Sequence, residues 1–167
     1  PNYRDGERVV LIRYPHGGIF EIPELTVNNK HKEANSIISQ AKDAVGINAK
    51  VAERLSGADF DGDTVLVIPN NEGLVKTSSP LKGLMNFDPK EKYPAYEGMP
   101  RISSRTKQMK MGDVSNLITD MTIKGANADE LAAAVRHSMV VIDAEKHNIN
   151  YKQSFIDNGI AGLKKKY

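Results

Sequence analysis

Cysteine is absent from the 167-residue chain. That excludes disulfides and thiolate metal sites and suits a reducing cytoplasm. No apolar run of about eighteen residues and no signal-peptide pattern occurs, so neither membrane insertion nor export is supported. Charge of one sign is also missing: a net +2 is too small to argue for nucleic acid by itself. At 40% hydrophobic and 26% charged residues, the composition reads as soluble and globular. The length fits one domain of ordinary size with a helical appendage. Pro1 without a preceding Met, and the densest chemistry in mid-chain, imply an excised piece of a longer polypeptide.

That chemistry is the stretch Ser56-Gly57-Ala58-Asp59-Phe60-Asp61-Gly62-Asp63, followed at once by the apolar run Thr64-Val65-Leu66-Val67-Ile68-Pro69. Aspartates packed at every second position repel, and a nearby positive charge is needed to keep all of them ionised. The stretch contains no Lys or Arg, so a metal ion is the natural supply. In a plain strand such residues lie roughly 6.5 Å apart, and Gly62 lets the backbone curl so that the carboxylates converge. Mg²⁺ takes near-octahedral oxygen ligation completed by water and substrate phosphates, which three Asp in one loop fit. An EF-hand is excluded, because Gly62 precedes the third Asp and the twelfth position is Asn70 rather than Glu. The bland alternative is a tight Asp/Gly turn before a strand.

Asp59-Phe60-Asp61-Gly62-Asp63 resembles the Asp-x-Asp-Gly-Asp signature of the two-barrel RNA polymerases. This superfamily joins cellular multisubunit RNA polymerases, silencing-type RNA-dependent polymerases, and single-chain relatives in phages and prophages. The resemblance implies a fold: α+β, a six-stranded double-psi β-barrel with appended helices. It also implies that Asp59, Asp61 and Asp63 are the catalytic, Mg²⁺-binding aspartates. Arg13-Tyr14-Pro15 is similar to the Arg-x-Pro at the end of a barrel strand in the same superfamily, which makes Arg13 a nucleotide-binding candidate near the sugar. The other reading of Arg13 is a surface or salt-bridged arginine at a strand end. His137-Ser138 followed by Val141-Ile142-Asp143-Ala144-Glu145-Lys146 resembles the Ser, Val-Asp, Lys pattern after the catalytic barrel in silencing-type polymerases.

Taken in order, residues 1–8 read as a frayed polar lead and Val9–Ile12 as a buried strand. His16-Gly17-Gly18 turns the chain into a second strand at Ile19–Ile22. Helical spacing predicts an amphipathic helix over Glu33–Ala44. Val45–Ile47 reads as a strand, and Asn48 caps a helical turn through Leu55, which Gly57 ends. Residues 70–100 read as a long loop. Arg101 to Lys110 carries four basic residues and no acid, which suits phosphate contact and makes Arg105, Lys107 and Lys110 nucleic-acid candidates. A solvated cationic loop is the alternative. Asp113 caps a helix with Val114, Leu117, Ile118 and Met121 on one face and Gly125 at its end. Asn127 with Glu130 opens the next, with Leu131, Val135, Met139 and Ile142 as its stripe. A short helix runs from Tyr151 to Asn158. His137 and His147 read as ordinary helix residues, and Lys164-Lys165-Lys166 as a tail. The expected organisation is a barrel portion over 1–70, an insertion with the basic segment over 71–112, and a helical portion over 113–167.

The resemblance implies template-dependent RNA synthesis from ribonucleoside triphosphates by a two-Mg²⁺ mechanism. Its partners are a nucleic-acid template, the RNA product and a second barrel of the same longer chain, whose lysines assist the phosphates; the fragment alone is then inactive. The compartment implied is the cytoplasm of a bacterial or phage-infected cell. Two other classes stay open. One is a non-catalytic module that keeps the acidic loop as a structural cation site and binds nucleic acid or protein. The other is a metal-dependent phosphohydrolase, which normally adds a His or Glu near the carboxylates; none occurs in residues 56–69.

Overall fold

A computed structural model describes residues 2–14, 16–39, 41–55, 58 and 62–167. The chain divides into two compact units, Pro1–Ser79 and Pro80–Tyr167. No helix of the described residues is long and apolar enough to cross a membrane.

In the first unit, strand β1 (Arg8–Ile12) is the central member of a three-stranded antiparallel sheet. Its neighbours are β2 (Glu24–Thr26) and β3 (Leu66–Pro69). Val10 lies opposite Glu24 on one side and Ile68 on the other. A central strand covered on both faces needs a continuous apolar run, and Val9, Val10, Leu11 and Ile12 are all buried. Val10, Ile12 and Ile22 form a cluster that Ile68 and Val75 pack against. Asn70, 2% exposed, fastens the turn after β3 by accepting from the Val75 amide at 2.8 Å and donating to its carbonyl at 3.0 Å.

The six-stranded double-psi barrel expected from the resemblance is overturned. The described residues form one small open sheet, and closure would require a further strand on the free edges of β2 and β3. Two expected strands are not strands. Ile19–Glu21 is a 3-10 turn, because its carbonyls are taken elsewhere. Arg54 Nε donates to Phe20 O at 3.0 Å, Arg54 Nη2 reaches Ile22 O at 3.4 Å, and the Ser78 amide bonds Ile19 O. The pairing strand starts one residue past Pro23. Val45–Ile47 joins no ladder. Helix α1 (Lys32–Ile38) is shorter than expected, closed by Ser39 at φ 53°. Helix α2 (Ala49–Arg54) is capped as expected, Asn48 Oδ1 accepting from the Lys50 amide at 2.9 Å. Gly57, expected to end it, lies outside the described residues. The amino-terminal lead is fastened rather than frayed: the Tyr3 hydroxyl donates to Val67 O at 3.1 Å and the Gly6 amide to Val27 O at 2.8 Å.

The second unit is helical. A 3-10 turn at Lys82–Leu84 and the short helix α3 (Pro89–Lys92), capped by Asp88, interrupt what reads as loop. Helix α4 (Ser104–Ile123) begins well before Asp113, because Ser103 caps it by accepting from the Thr106 amide at 3.2 Å. Val114, Leu117, Ile118 and Met121 are buried as their spacing requires. Gly112 therefore sits inside α4, where a Cβ would meet nothing within 4 Å. Gly112→Ala is expected to raise stability by about 0.5–1 kcal/mol through lost unfolded-state freedom, read by urea denaturation.

Helix α5 (Ala128–His147) is capped by Asn127, whose Oδ1 accepts from the Glu130 amide at 2.9 Å. Its buried stripe is rotated from the expected one. Ala132, Ala134, Val135, His137, Val140, Val141 and Ala144 are inside, and Ile142 is 38% exposed. Large side chains set the sequence pattern, whereas alanines let neighbouring backbone come close. At Gly83 that approach is tight: a Cβ there would lie 2.7 Å from Ala132 Cβ and 3.0 Å from Arg136 Nη1. Gly83→Ala is expected to destabilise by about 2 kcal/mol, seen as a lowered denaturation midpoint. Helix α6 (Tyr151–Asp157) is followed by Gly159 at φ 60° and by α7 (Ile160–Lys166). The expected lysine tail is thus a helix that buries Ile160 and Leu163.

Candidate functional site

Pairing of Ile12 with Leu66 sets two chain segments side by side just beyond the ends of β1 and β3. Arg13 follows β1, and Asp63 precedes β3. Arg13 Nε donates to Asp63 Oδ1 at 2.7 Å, and Nη2 lies 2.6 Å from the same oxygen. The two side chains are 23% and 14% exposed, so the pair is largely shielded from solvent. Positive charge at the described end of the acidic stretch thus comes from a residue 50 positions away. The local sequence lacks a cation, and the sheet register supplies one. Of the two readings of Arg13, the salt-bridged arginine at a strand end describes its resting geometry.

Gly62 has φ 109°, a conformation that residues with a Cβ rarely adopt, and nothing lies within 4 Å of where a Cβ would stand. The glycine is required by the backbone path rather than by crowding. Asp59 and Asp61 lie outside the described residues. Among the described residues, no three His, Asp or Glu side chains converge as a metal site. The carboxylate chemistry of Asp59, Asp61 and Asp63 suits a hard divalent cation such as Mg²⁺, and Asp63 holds the one described place in that set.

Asp63 also lines an open cleft of about 610 Å³ in the first unit. Tyr3, Lys42, Asp43, Leu55, Thr64, Val65 and Val67 are among its other walls. Lys42 and Tyr3 come from a connecting segment and from the amino-terminal lead, and no local pattern marks either. Tyr3 is brought there by the hydrogen bond from its hydroxyl to Val67 O.

The basic candidates belong to the second unit. Arg105 and Lys110 are exposed on α4. Lys107 is engaged, its Nζ 2.5 Å from Glu145 Oε2, and the Ser104 hydroxyl bonds the same carboxylate. The hydrogen bond from Lys107, then that from Ser104, holds the Glu145 carboxyl below its ordinary range. These residues are helical rather than looped, and Lys107 turns toward α5.

His137, expected as an ordinary helix residue, is 3% exposed. Its Nδ1 lies 3.0 Å from Ser154 Oγ, which accepts from Asn158 Nδ2 at 3.3 Å. Asn158 Nδ2 also donates to the Tyr93 hydroxyl at 3.2 Å, and Arg136 Nε donates to Asn158 Oδ1 at 2.9 Å. Burial, helped by the charges of Lys164 and Lys110, pushes the imidazole down to about 4. With Ser154 fully buried, the His–Ser contact is part of the core.

No protein-family model, curated protein or solved structure matches the chain. The likeness to the two-barrel polymerases therefore rests on the residues that carry it.

Proposed function

We propose that this chain carries the acidic centre of a template-dependent RNA polymerase, a nucleotidyltransferase that extends an RNA 3′ end from ribonucleoside triphosphates. The observation that carries the reading is the Arg13–Asp63 contact. Two residues singled out by separate motifs, Arg-x-Pro and Asp-x-Asp-Gly-Asp, meet although 50 positions separate them.

Asp59, Asp61 and Asp63 supply the oxygen donors. Bound Mg²⁺ would lower the pKa of the primer 3′-hydroxyl and neutralise charge on the leaving pyrophosphate. In the transfer, the 3′ oxygen bonds to the α-phosphorus, the bond to pyrophosphate breaks, and the hydroxyl proton passes to solvent. Arg13, with two N–H groups on one oxygen, orients the Asp63 carboxylate, and the family resemblance would have it approach the sugar of an incoming nucleotide. Arg105 and Lys110 are the exposed cations offered to template or product phosphates.

The same contact favours a second reading. A carboxylate already neutralised by a side chain has less need of a metal, as in a non-catalytic module that binds nucleic acid or protein. Ribonucleotide incorporation by the intact polypeptide that carries this sequence separates the two, measured on single-stranded DNA and RNA with and without Mg²⁺. Synthesis that EDTA stops and added Mg²⁺ restores is expected, and the preferred template assigns the subclass. No incorporation on either template, with the protein folded, overturns the polymerase reading in favour of the binding module.

A further inference from the structure

We propose that Lys42 and Tyr3 position the nucleoside triphosphate in the cleft beside Asp63, Lys42 at the phosphates and Tyr3 at the base. The inference rests on the polymerase reading and adds two residues that the motifs do not contain.

The cleft measures about 610 Å³, within the range of small-molecule sites. Its lining is mixed: Tyr3, Val45, Ile47, Leu55, Val65 and Val67 offer apolar surface, while Lys42, Asp43 and Asp63 bring charge to the same space. A nucleotide asks for both, with its flat apolar base and its polyanion. Tyr3 is pre-set for the first part, since its hydroxyl is held by Val67 O at 3.1 Å. A ring fixed before binding loses little freedom on stacking, and base–aromatic stacking tolerates any base. Lys42 suits the second part. It is exposed, it makes no ion pair among the described residues, and an ammonium on a flexible stem meets phosphate as a point charge. Asp43 and Asp63 oppose it, so a bare polyanion gains less in this cleft than a magnesium-complexed triphosphate. The arrangement gives this chain a phosphate-facing lysine of its own, a role that the family resemblance leaves to the second barrel.

Calorimetric titration of the full 167-residue chain with ATP and with inorganic tripolyphosphate, both in Mg²⁺ buffer, tests the assignment. Lys42→Ala should weaken both probes by about tenfold, with Lys42→Arg restoring most of the loss. Tyr3→Leu, which keeps an apolar wall without the ring, should weaken ATP by about tenfold and leave tripolyphosphate unchanged. Thermal melts establish that each variant is folded; Lys42 is exposed, so its exchange leaves the core untouched. Wild-type affinity for both probes in Lys42→Ala overturns the inference. If Asp63→Asn still weakens ATP in that case, the polymerase reading survives alone. A wild-type chain that binds neither probe overturns the inference as well, and leaves the polymerase reading to the incorporation assay on the intact polypeptide.

Discussion

On the proposed polymerase reading, exchanging Asp61 or Asp63 for asparagine in the intact polypeptide is expected to cut ribonucleotide incorporation by about a thousandfold or more, equivalent to roughly 4 kcal/mol of transition-state stabilisation. Asparagine keeps the shape and one acceptor oxygen of aspartate but removes the negative charge that a divalent cation needs. Asp63→Asn carries an additional effect. It removes the Asp63 carboxylate that two Arg13 N–H groups engage, in a pair whose side chains are only 23% and 14% exposed. A drop in stability of about 2 kcal/mol should accompany the lost activity. Arg13→Gln removes the same ion pair from the other side and should also lower stability. In the double variant both charges are gone, so part of the stability returns through coupling while synthesis stays lost. Urea denaturation and single-turnover incorporation on the four proteins read the two effects separately. Wild-type synthesis by folded Asp63→Asn would sink the catalytic assignment and leave the pair as a structural brace.

Acid should loosen the second unit through His137. Burial chiefly, and then Lys164 and Lys110, push its imidazole from 6.5 down to about 4 in the folded chain. The unfolded chain therefore takes up a proton between about pH 6.5 and pH 4 that the folded chain refuses. Stability from this group is complete above pH 6.5, declines as pH falls through that window, and is level below it. The integrated loss is about 3 kcal/mol, at 1.36 kcal/mol for each unit of pKa difference. The Ser154 hydroxyl 3.0 Å from His137 Nδ1 can donate to the ring or accept from it, so it is the charge of the imidazolium that the buried site disfavours. His137→Gln should flatten the profile between pH 6.5 and pH 4. Glu130 and Glu145, also held low by their lysine partners, act in both proteins and cancel in the comparison. Parallel slopes for wild type and variant in urea denaturation would count against this assignment.

Local signals were readable where local forces decide. The β-branched run at Val9–Ile12, the caps at Asn48 and Asn127, and the four buried positions from Val114 to Met121 each depend on near neighbours alone. The misreadings share a different cause. Ile19–Ile22 has strand composition, yet Arg54 and Ser78 take its carbonyls from far along the chain. The barrel was inferred from a motif of a few residues, and a motif does not fix how many strands flank it. The α5 stripe slipped because Ala132 and Ala134 bury little area of their own, and Ala132 admits Gly83. At the site, aspartate spacing marked the residues, but their counter-charge could not be seen near them. Arg13 reaches Asp63 only through antiparallel register, and Lys42 and Tyr3 join the cleft only through tertiary contact.

The pairing of β1 with β3 also imposes a schedule on biosynthesis. β1 leaves the ribosome more than fifty residues ahead of its partner. At roughly 5–20 residues per second, the edge of β1 that β3 will occupy waits several seconds unpaired, while β2 emerges early enough to cover the other edge. Closing so long a loop adds entropic cost to the delay, whereas α4 and α5 adjoin in sequence and can dock as soon as both have formed. Arg13 and Asp63 are joined only when that loop closes, so the charged centre cannot form before β3 has emerged.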